Sequence, residues 1–387
     1  MKKRDFDEIY PVKGSSSRFH QGNTAFGRAM RVGKRGYSNL EDKVERMREG
    51  LPGYGLVDYA FKDAALTPAY ASHSGRGYMN SGFYSWSPLG VTHKPEGVPR
   101  WEGSPDEASR IISKAGRYYG AVGVGFTGLD RRWVYSNTSD GRPIVFEDVE
   151  GGYVTEEKAV IPESHKWVVA ITVPMEVDEM MYAPTPLNPT SNMGYSRMTI
   201  VAGSLAEFIR GIGYHAIPCG NDTALSVPIA IQAGLGHLGR HGRLITWEHG
   251  PMVRIAKIFT DLPLKPSSLA PEGIVKFCEV CDKCARLCPS GSIPKGPRTY
   301  EGHSEANNHG ALKWYCNADT CLDYWGEVGS GCSICFRVCN FTKEEGLSHD
   351  LVKWFIRNVP ALNRFWVWAD DMMGYGEMRD PREYWED

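Results

Sequence analysis

Nine of the ten cysteines lie between Cys278 and Cys339; only Cys219 stands apart. Four run as Cys278-x2-Cys281-x2-Cys284-x3-Cys288, with Pro289 directly after. A second set runs Cys321-x10-Cys332-x2-Cys335-x3-Cys339, and Cys316 lies just before it. A disulfide framework spreads its cysteines through a much shorter secreted chain. A dense block in a long chain reads as metal ligation. Two-residue gaps let three thiolates point into one concave loop around an iron–sulfur cubane, while the fourth cysteine reaches a second cubane. The alternative is a pair of four-cysteine zinc sites. Those usually join two Cys-x-x-Cys units rather than run four cysteines at 2-2-3 spacing.

The first spacing is that of bacterial ferredoxins, whose fourth cysteine serves the other cluster. The expected crossing gives cluster A from Cys278, Cys281, Cys284 and Cys339, and cluster B from Cys288, Cys321, Cys332 and Cys335. Cys316 is a rival for Cys321, and Asn340 stands where a second Cys-Pro is expected. Cys219 reads as a core thiol. Two 4Fe–4S clusters move single electrons and do not say what is reduced. The long stretch before the block favours an enzyme over a simple electron carrier.

The elements that must position this chemistry come from a chain of 387 residues, 42% hydrophobic and 23% charged, with a net charge of -2. That balance excludes disorder, and a polybasic nucleic-acid binder as the default. No apolar run reaches the ~18–20 residues of a membrane span, the best lying around Trp167–Met175. The N-terminus has charge but no apolar h-region of an export signal. Residues 1–100, rich in Gly, Ser, Pro and aromatics, predict short helices and loops wrapping a larger body. Helix periodicity over Asp106–Tyr119, Met198–Ile212 and Ala224–Ala233 alternates with strand patterns at Ala121–Phe126, Lys166–Met175 and Met252–Thr260. Residues 101–265 therefore read as one α/β domain. A Pro- and Ser-rich linker, Leu262–Pro271, leads to the cysteine domain at 266–345. The tail, 346–387, carries Trp354, Trp366, Trp368 and Trp385 and should pack on the body. No internal repeat stands out.

Gly234-x-Gly236-x-x-Gly239 matches a dinucleotide fingerprint literally, but a helix-like segment precedes it and none follows. A tight turn, or a backbone lying close to a large flat ligand, explains it better. Its neighbours form an ordered series: Asn221-Asp222-Thr223, Pro228, Ala233 to Gly239 with His237, Leu244-Ile245, and Thr260-Asp261-Leu262-Pro263-Leu264. The series leads straight into the cysteine motif. Over about Tyr195–Phe341 the chain resembles the superfamily of respiratory reductive dehalogenases and epoxyqueuosine reductases. Cys321-Leu-Asp-Tyr resembles that superfamily's lone cysteine segment, which favours Cys321 over Cys316.

The resemblance implies an α/β (α+β) architecture: a nitroreductase-like corrinoid-binding domain, then a ferredoxin-like two-cluster domain. It implies a cobalamin-type cofactor with no protein ligand to cobalt, with Gly234, Gly236, His237 and Gly239 against it. No Asp-x-His-x-x-Gly motif is present. The dehalogenase branch is the closer one. Its tyrosine proton donor, supporting asparagine and arginine match Tyr195, Asn221 and Arg254. Taken singly, these have ordinary readings as a packing residue, a helix cap and an ion-pair partner. Trp325 matches a pocket tryptophan of the family; Phe26 and Trp86 are further pocket candidates. The implied reaction removes halide from a small organohalide, a chlorinated alkane or alkene, using a Co(I) corrinoid and electrons from an external donor. The implied setting is the outer face of the cytoplasmic membrane, as a processed form meeting a small membrane-anchor protein, with the cytoplasm as the alternative. No nucleic-acid partner is expected. The rivals are an epoxyqueuosine reductase, which acts on tRNA and uses an acidic proton donor, and a two-cluster electron-transfer subunit without corrinoid.

Overall fold

The computed structural model of the chain describes residues 4–14, 17–32, 40–92, 97–343 and 346–386; residues 1–3, on which the export-signal reading partly rests, lie outside them. Five short helices occupy the first third: α1 (Phe6–Ile9), α2 (Ala25–Arg31), α3 (Leu40–Glu49), α4 (Leu56–Ala64) and α5 (Thr67–Ala71). Asp5 and Thr24 cap the first two by accepting from backbone N–H groups. The Gly- and Pro-rich composition keeps each helix to a few turns.

The next helix, α6 (Pro105–Tyr118), starts on a capping box between Ser104 and Glu107, with Pro105 at its first position. Then come β1 (Gly123–Gly128), β2 (Ile144–Glu147), β3 (Tyr153–Val154), β4 (Ala159–Pro162) and β5 (Trp167–Pro174). They are followed by α7 (Val177–Met180), α8 (Thr190–Gly211), β6 (Ala216–Cys219), α9 (Ser226–Gln232), β7 (His237–Leu238), β8 (Leu244–Ile245) and β9 (Val253–Thr260). Strands β1, β5, β9 and β6 form one antiparallel sheet in that order. Strands β2, β4 and β3 make a small second sheet, which the periodicity did not announce because its strands are only two to four residues long.

The central strands are buried on both faces, so alternation divides the core. Val169, Ile171 and Val173 of β5, with Ala256 and Ile258 of β9, pack with Met198, Val201 and Leu205 of α8. Val168 and Ala170, with Phe259, face Ile229 of α9 and Ile217 of β6. Helix α8 begins eight residues earlier than its apolar spacing indicates. Thr190, Asn192, Gly194 and Ser196 are buried there although polar or small. A hydrophobic-period reading passes over such residues.

The cysteine region is built from α10 (Gly273–Val280), α11 (Lys283–Arg286), α12 (Ala318–Glu327) and α13 (Ile334–Arg337). Helices α11 and α13 pack together. Each sits in the same frame, Cys-x2-Cys-x3-Cys, at 281–288 and at 332–339. This is a short internal repeat that the sequence reading missed, because only the cysteines recur. The tail forms α14 (Leu347–Asn358) and α15 (Asn363–Met372). Ile356, Val352, Trp366 and Val367 lie against the core beneath Cys278 and Cys339.

Candidate active site

Tyr195 lies inside α8, in its second turn, rather than before a helix as the spacing suggested. Its phenol oxygen accepts from Asn221 Nδ2 at 2.8 Å and from Arg254 Nη1 at 3.3 Å. The Arg254 guanidinium also stands over the ring, 4.4 Å from its centroid. Among the described residues no acceptor takes the phenol proton. The oxygen is thus held from two sides while the O–H stays available to a third party.

Each partner is delivered by a specific element. Arg254 is on β9, opposite Val173 of β5, and its side chain runs along α8 at Gly194. A Cβ at Gly194 would stand 2.8 Å from Arg254 Cγ, so the glycine beside Tyr195 makes the approach possible. Asn221 sits just past β6 in a turn fixed from below. Lys257, fully buried on β9, donates there to the carbonyls of Gly220, Asp222 and Ala224 and to Ser226 Oγ. The buried Asp222 carboxylate accepts from Gly220 N and Thr223 Oγ1. Thr223 is held at φ +66°, a left-handed conformation that a β-branched residue rarely adopts.

Two further cations reach the phenol. Arg76 lies between Gly75 and Gly77, its guanidinium 5.5 Å from the Tyr195 ring centroid. Gly77 has φ +96°, and a Cβ there would stand 2.4 Å from Asn221 N, so the two loops cross backbone to backbone. Arg243, in the hairpin turn between β7 and β8, acts on Tyr195 and also on Cys316, Cys321 and Cys335. Burial alone would raise the phenol pKa. Arg254, then Arg76, the Asn221 hydrogen bond and Arg243 outweigh it and hold the group below its ordinary value of 10. Neither Arg76 nor Arg243 was singled out from sequence. The signal for the first was an arginine set between two glycines.

Other candidates fall elsewhere. Trp325 meets Phe26 edge to face, ring centroids 5.8 Å apart. Trp86 is buried in the core with Trp133 and Ile217, not beside the phenol. The Gly234–Gly239 turn packs closely on the chain itself. A Cβ at Gly234 would meet the Ser268 carbonyl at 2.2 Å, and one at Gly236 the Ile245 carbonyl at 2.1 Å. At Gly239 the Ile245 side chain is 2.5 Å away. These glycines answer to close packing of the chain on itself. His237 is fully buried: Nε2 donates to the Ala270 carbonyl at 2.9 Å, and Nδ1 faces the Tyr10 hydroxyl at 3.1 Å. Both ring nitrogens are used inside the protein, and burial lowers the imidazole pKa, so the ring is neutral and structural.

Cys278, Cys281, Cys284 and Cys339 line a small cavity of about 20 Å³. Arg240, buried beside it, donates to the carbonyls of Cys278, Cys281, Pro294 and Gly296, tying the β7–β8 hairpin to the cysteine loop. Burial raises the pKa of Cys284 and Cys339, and each is raised further by neighbouring thiols of this set. Cys288, Cys321, Cys332 and Cys335 gather on the other side of α11 and α13, with Cys316 beside Cys321 and Cys288. Among the described residues no three His, Cys, Asp or Glu side chains converge as a single metal ion requires. Cys219 is buried in the core, its Sγ directed at the Ile217 carbonyl.

A family model described as reductive dehalogenase subunit matches residues 12–142 and 136–264. The chain is 38% identical to a tetrachloroethene reductive dehalogenase of Sulfurospirillum multivorans, over 78% of this chain and 62% of that one. It is 34% identical to another of that name from Desulfitobacterium hafniense, over 79% of this chain and 61% of that one. It thus spans about three fifths of the relatives' length. The solved structure of the catabolic reductive dehalogenase NpRdhA in complex with 3-bromo-4-hydroxybenzoic acid shares the fold. That match has a TM-score of 0.68 and 21% identity, over 96% of this chain and 48% of that chain. The family match takes in the stretch that carries Tyr195, Asn221 and Arg254, and it settles the kinship the ordered motifs suggested: the chain belongs to the reductive dehalogenase family.

Proposed function

We propose that this chain is an oxidoreductase that removes halide from a small organohalide: R–X + 2 e⁻ + H⁺ → R–H + X⁻. The observation that carries the reading is the Tyr195 phenol, which accepts from Asn221 and Arg254 and keeps its own proton free. Relatives named for tetrachloroethene support a chlorinated alkene or alkane as the substrate class. In this reading the sheet and α8 form a nitroreductase-like body, and the cysteine region is a ferredoxin-like domain.

The residues present fit the implied cofactors. Cys278, Cys281, Cys284 and Cys339, around their cavity, would hold one 4Fe–4S cluster; Cys288, Cys321, Cys332 and Cys335 would hold the other. A corrinoid needs room beside the phenol. An open cleft of about 400 Å³, walled in part by Leu66, Tyr70 and Gly329, ends at Arg76, which stands over the Tyr195 ring. That volume lies within the range of small-molecule sites. When bound, clusters and corrinoid supply the two electrons, drawn from an external donor.

The protein supplies the proton. Arg254 and Asn221 fix the phenol oxygen, and the O–H points away from both. The cations stabilise the phenolate left after transfer, which matches the acid to its task. We place the enzyme at the outer face of the cytoplasmic membrane, joined by a small anchor protein. No helix among the described residues is long and apolar enough to cross a membrane.

Tyr195→Phe tests the reading. It keeps the ring and loses one O–H, so clusters and corrinoid should remain while dehalogenation falls about 10²–10⁴-fold. Turnover within about threefold of the parent, well short of that loss, would remove Tyr195 from the mechanism. Cys321→Ser should cost cluster B and Cys316→Ser should not, read by iron content and electron paramagnetic resonance of the reduced protein. The reverse result would exchange their roles.

A further inference from the structure

The cleft that ends at Arg76 has a floor that proton transfer does not use. Lys62, on α4, is buried there, and its ammonium donates to Ser330 Oγ. Among the described residues no carboxylate pairs with it. The adjacent Asp63 is taken by Lys43, at 2.6 Å. Lys43, Asp63 and Arg76 line the cleft with Lys62. Burial pulls the Lys62 pKa down to about 7, as befits a cation short of a counter-charge. Its backbone is anchored: Asn192 Nδ2 donates to the Lys62 carbonyl at 2.8 Å, and Asn192 lies on α8 one turn before Tyr195. The Ser330 turn is pinned as well, by Tyr59 donating to the Gly329 carbonyl at 3.2 Å.

A buried ammonium without a carboxylate is costly unless something else supplies negative charge. Lys62 has N–H groups to spare, and Ser330, which accepts from it, keeps its own hydroxyl proton. A monoatomic anion is satisfied by a few converging N–H and O–H donors. Phosphate calls for a larger set, usually a guanidinium fork or a nest of backbone N–H groups. We propose that the floor formed by Lys62 and Ser330 is a binding site for a small inorganic anion, the halide that leaves the substrate. The identity of the anion rests on the dehalogenase reading above; the site itself rests on the geometry. Halide drawn to this floor is separated from the phenol by Arg76 and leaves through the open cleft.

Chlorine-35 line broadening measures the site directly. Chloride is titrated onto the oxidised, cofactor-loaded enzyme with no substrate and no reductant. The parent should broaden the line saturably and bromide should displace it. Lys62→Met should bind chloride about tenfold more weakly or worse, the size of one charge-assisted hydrogen bond. Lys158→Met is the control, since that ammonium pairs with Glu147 on the surface. Crystals of the parent soaked in bromide should show anomalous scattering beside Lys62 Nζ, a readout that stands even if Lys62→Met fails to fold. A soluble Lys62→Met that broadens the line like the parent, or bromide-soaked crystals with no peak on the cleft floor, overturns the proposal. Inorganic phosphate displacing chloride at lower concentration than bromide reassigns the floor to phosphate. None of these measurements needs turnover, so their failure and the failure of the dehalogenase reading remain separate.

Discussion

At the scale of single residues, the site is a contest over one phenol. Burial pushes the Tyr195 pKa up, and Arg254 is the largest influence pulling it down. If Tyr195 donates the proton as proposed, it must enter protonated, so turnover falls as pH rises through its pKa, which the cations hold below its ordinary value of 10 in the folded chain. Arg254→Gln removes the strongest opposing charge. The pKa should then rise, so the alkaline limb of the kcat profile should shift to higher pH while the maximal rate drops. A lower rate with an unmoved limb would mean that Arg254 only packs. The three residues of the site were legible because independent motifs occur in family order. Nothing in the spacing alone would have joined residues that far apart. Arg76 and Arg243 escaped because they arrive from loops whose crossing depends on glycines, and a glycine's reason is visible only when its neighbour is. The Gly234–Gly239 turn shows the converse: close approach was legible, and Ser268 and Ile245 are what two of its glycines approach.

At the scale of elements, β9 is the organising strand. Its alternation sends Arg254 toward α8 and Lys257 to the opposite face, where Lys257 holds the turn that carries Asn221. A lysine in the middle of a buried strand contradicts the strand pattern, and that contradiction was a signal the apolar reading ignored. Lys257→Met keeps the volume and removes the donors, leaving several carbonyls and the Asp222 carboxylate without their cation. At about 1–3 kcal/mol per unsatisfied buried group, it should destabilise by about 3 kcal/mol or more, seen as a lower denaturation midpoint. It should also loosen Asn221, so the alkaline limb of the pH profile should move as in Arg254→Gln, though less. Stability lost with an unchanged pH profile would confine Lys257 to scaffolding. The helix α8 illustrates why element boundaries were harder to read. Its first two turns are buried through Asn192, Gly194 and Ser196, and burial of small polar residues leaves no hydrophobic period.

At the scale of the whole molecule, the tail closes the chain on its own cysteine region. Asp370 of α15 accepts from Lys283 Nζ at 2.5 Å and from Lys343 Nζ at 2.6 Å, all three side chains being nearly inaccessible. Lys283 stands between Cys281 and Cys284, so a carboxylate from the far end of the chain balances a cation inside the cluster motif. Farther along, Trp385 donates to Asp58 of α4 at 2.7 Å, bringing the tail back to the N-terminal helices. The tryptophans made the packing of this tail legible, but the ion pairs were not, since charged residues in a tail ordinarily read as surface. Burial lowers the Lys343 pKa, and the Asp370 carboxylate opposes that shift. Asp370→Asn keeps the shape and removes the charge, leaving two buried ammoniums with, among the described residues, Asp371 in reach, 3.4 Å from Lys283. Breaking a buried pair on one side costs about 3–5 kcal/mol. With clusters bound as proposed, unfolding is irreversible, so the loss is best read as a shorter half-life of the cluster absorbance on heating. Lys343→Met in the Asp370→Asn background removes one stranded charge, so it should recover part of that half-life. If the penalty came from lost packing alone, the second substitution would shorten the half-life further, and the double-mutant cycle separates the two cases by the sign of the coupling.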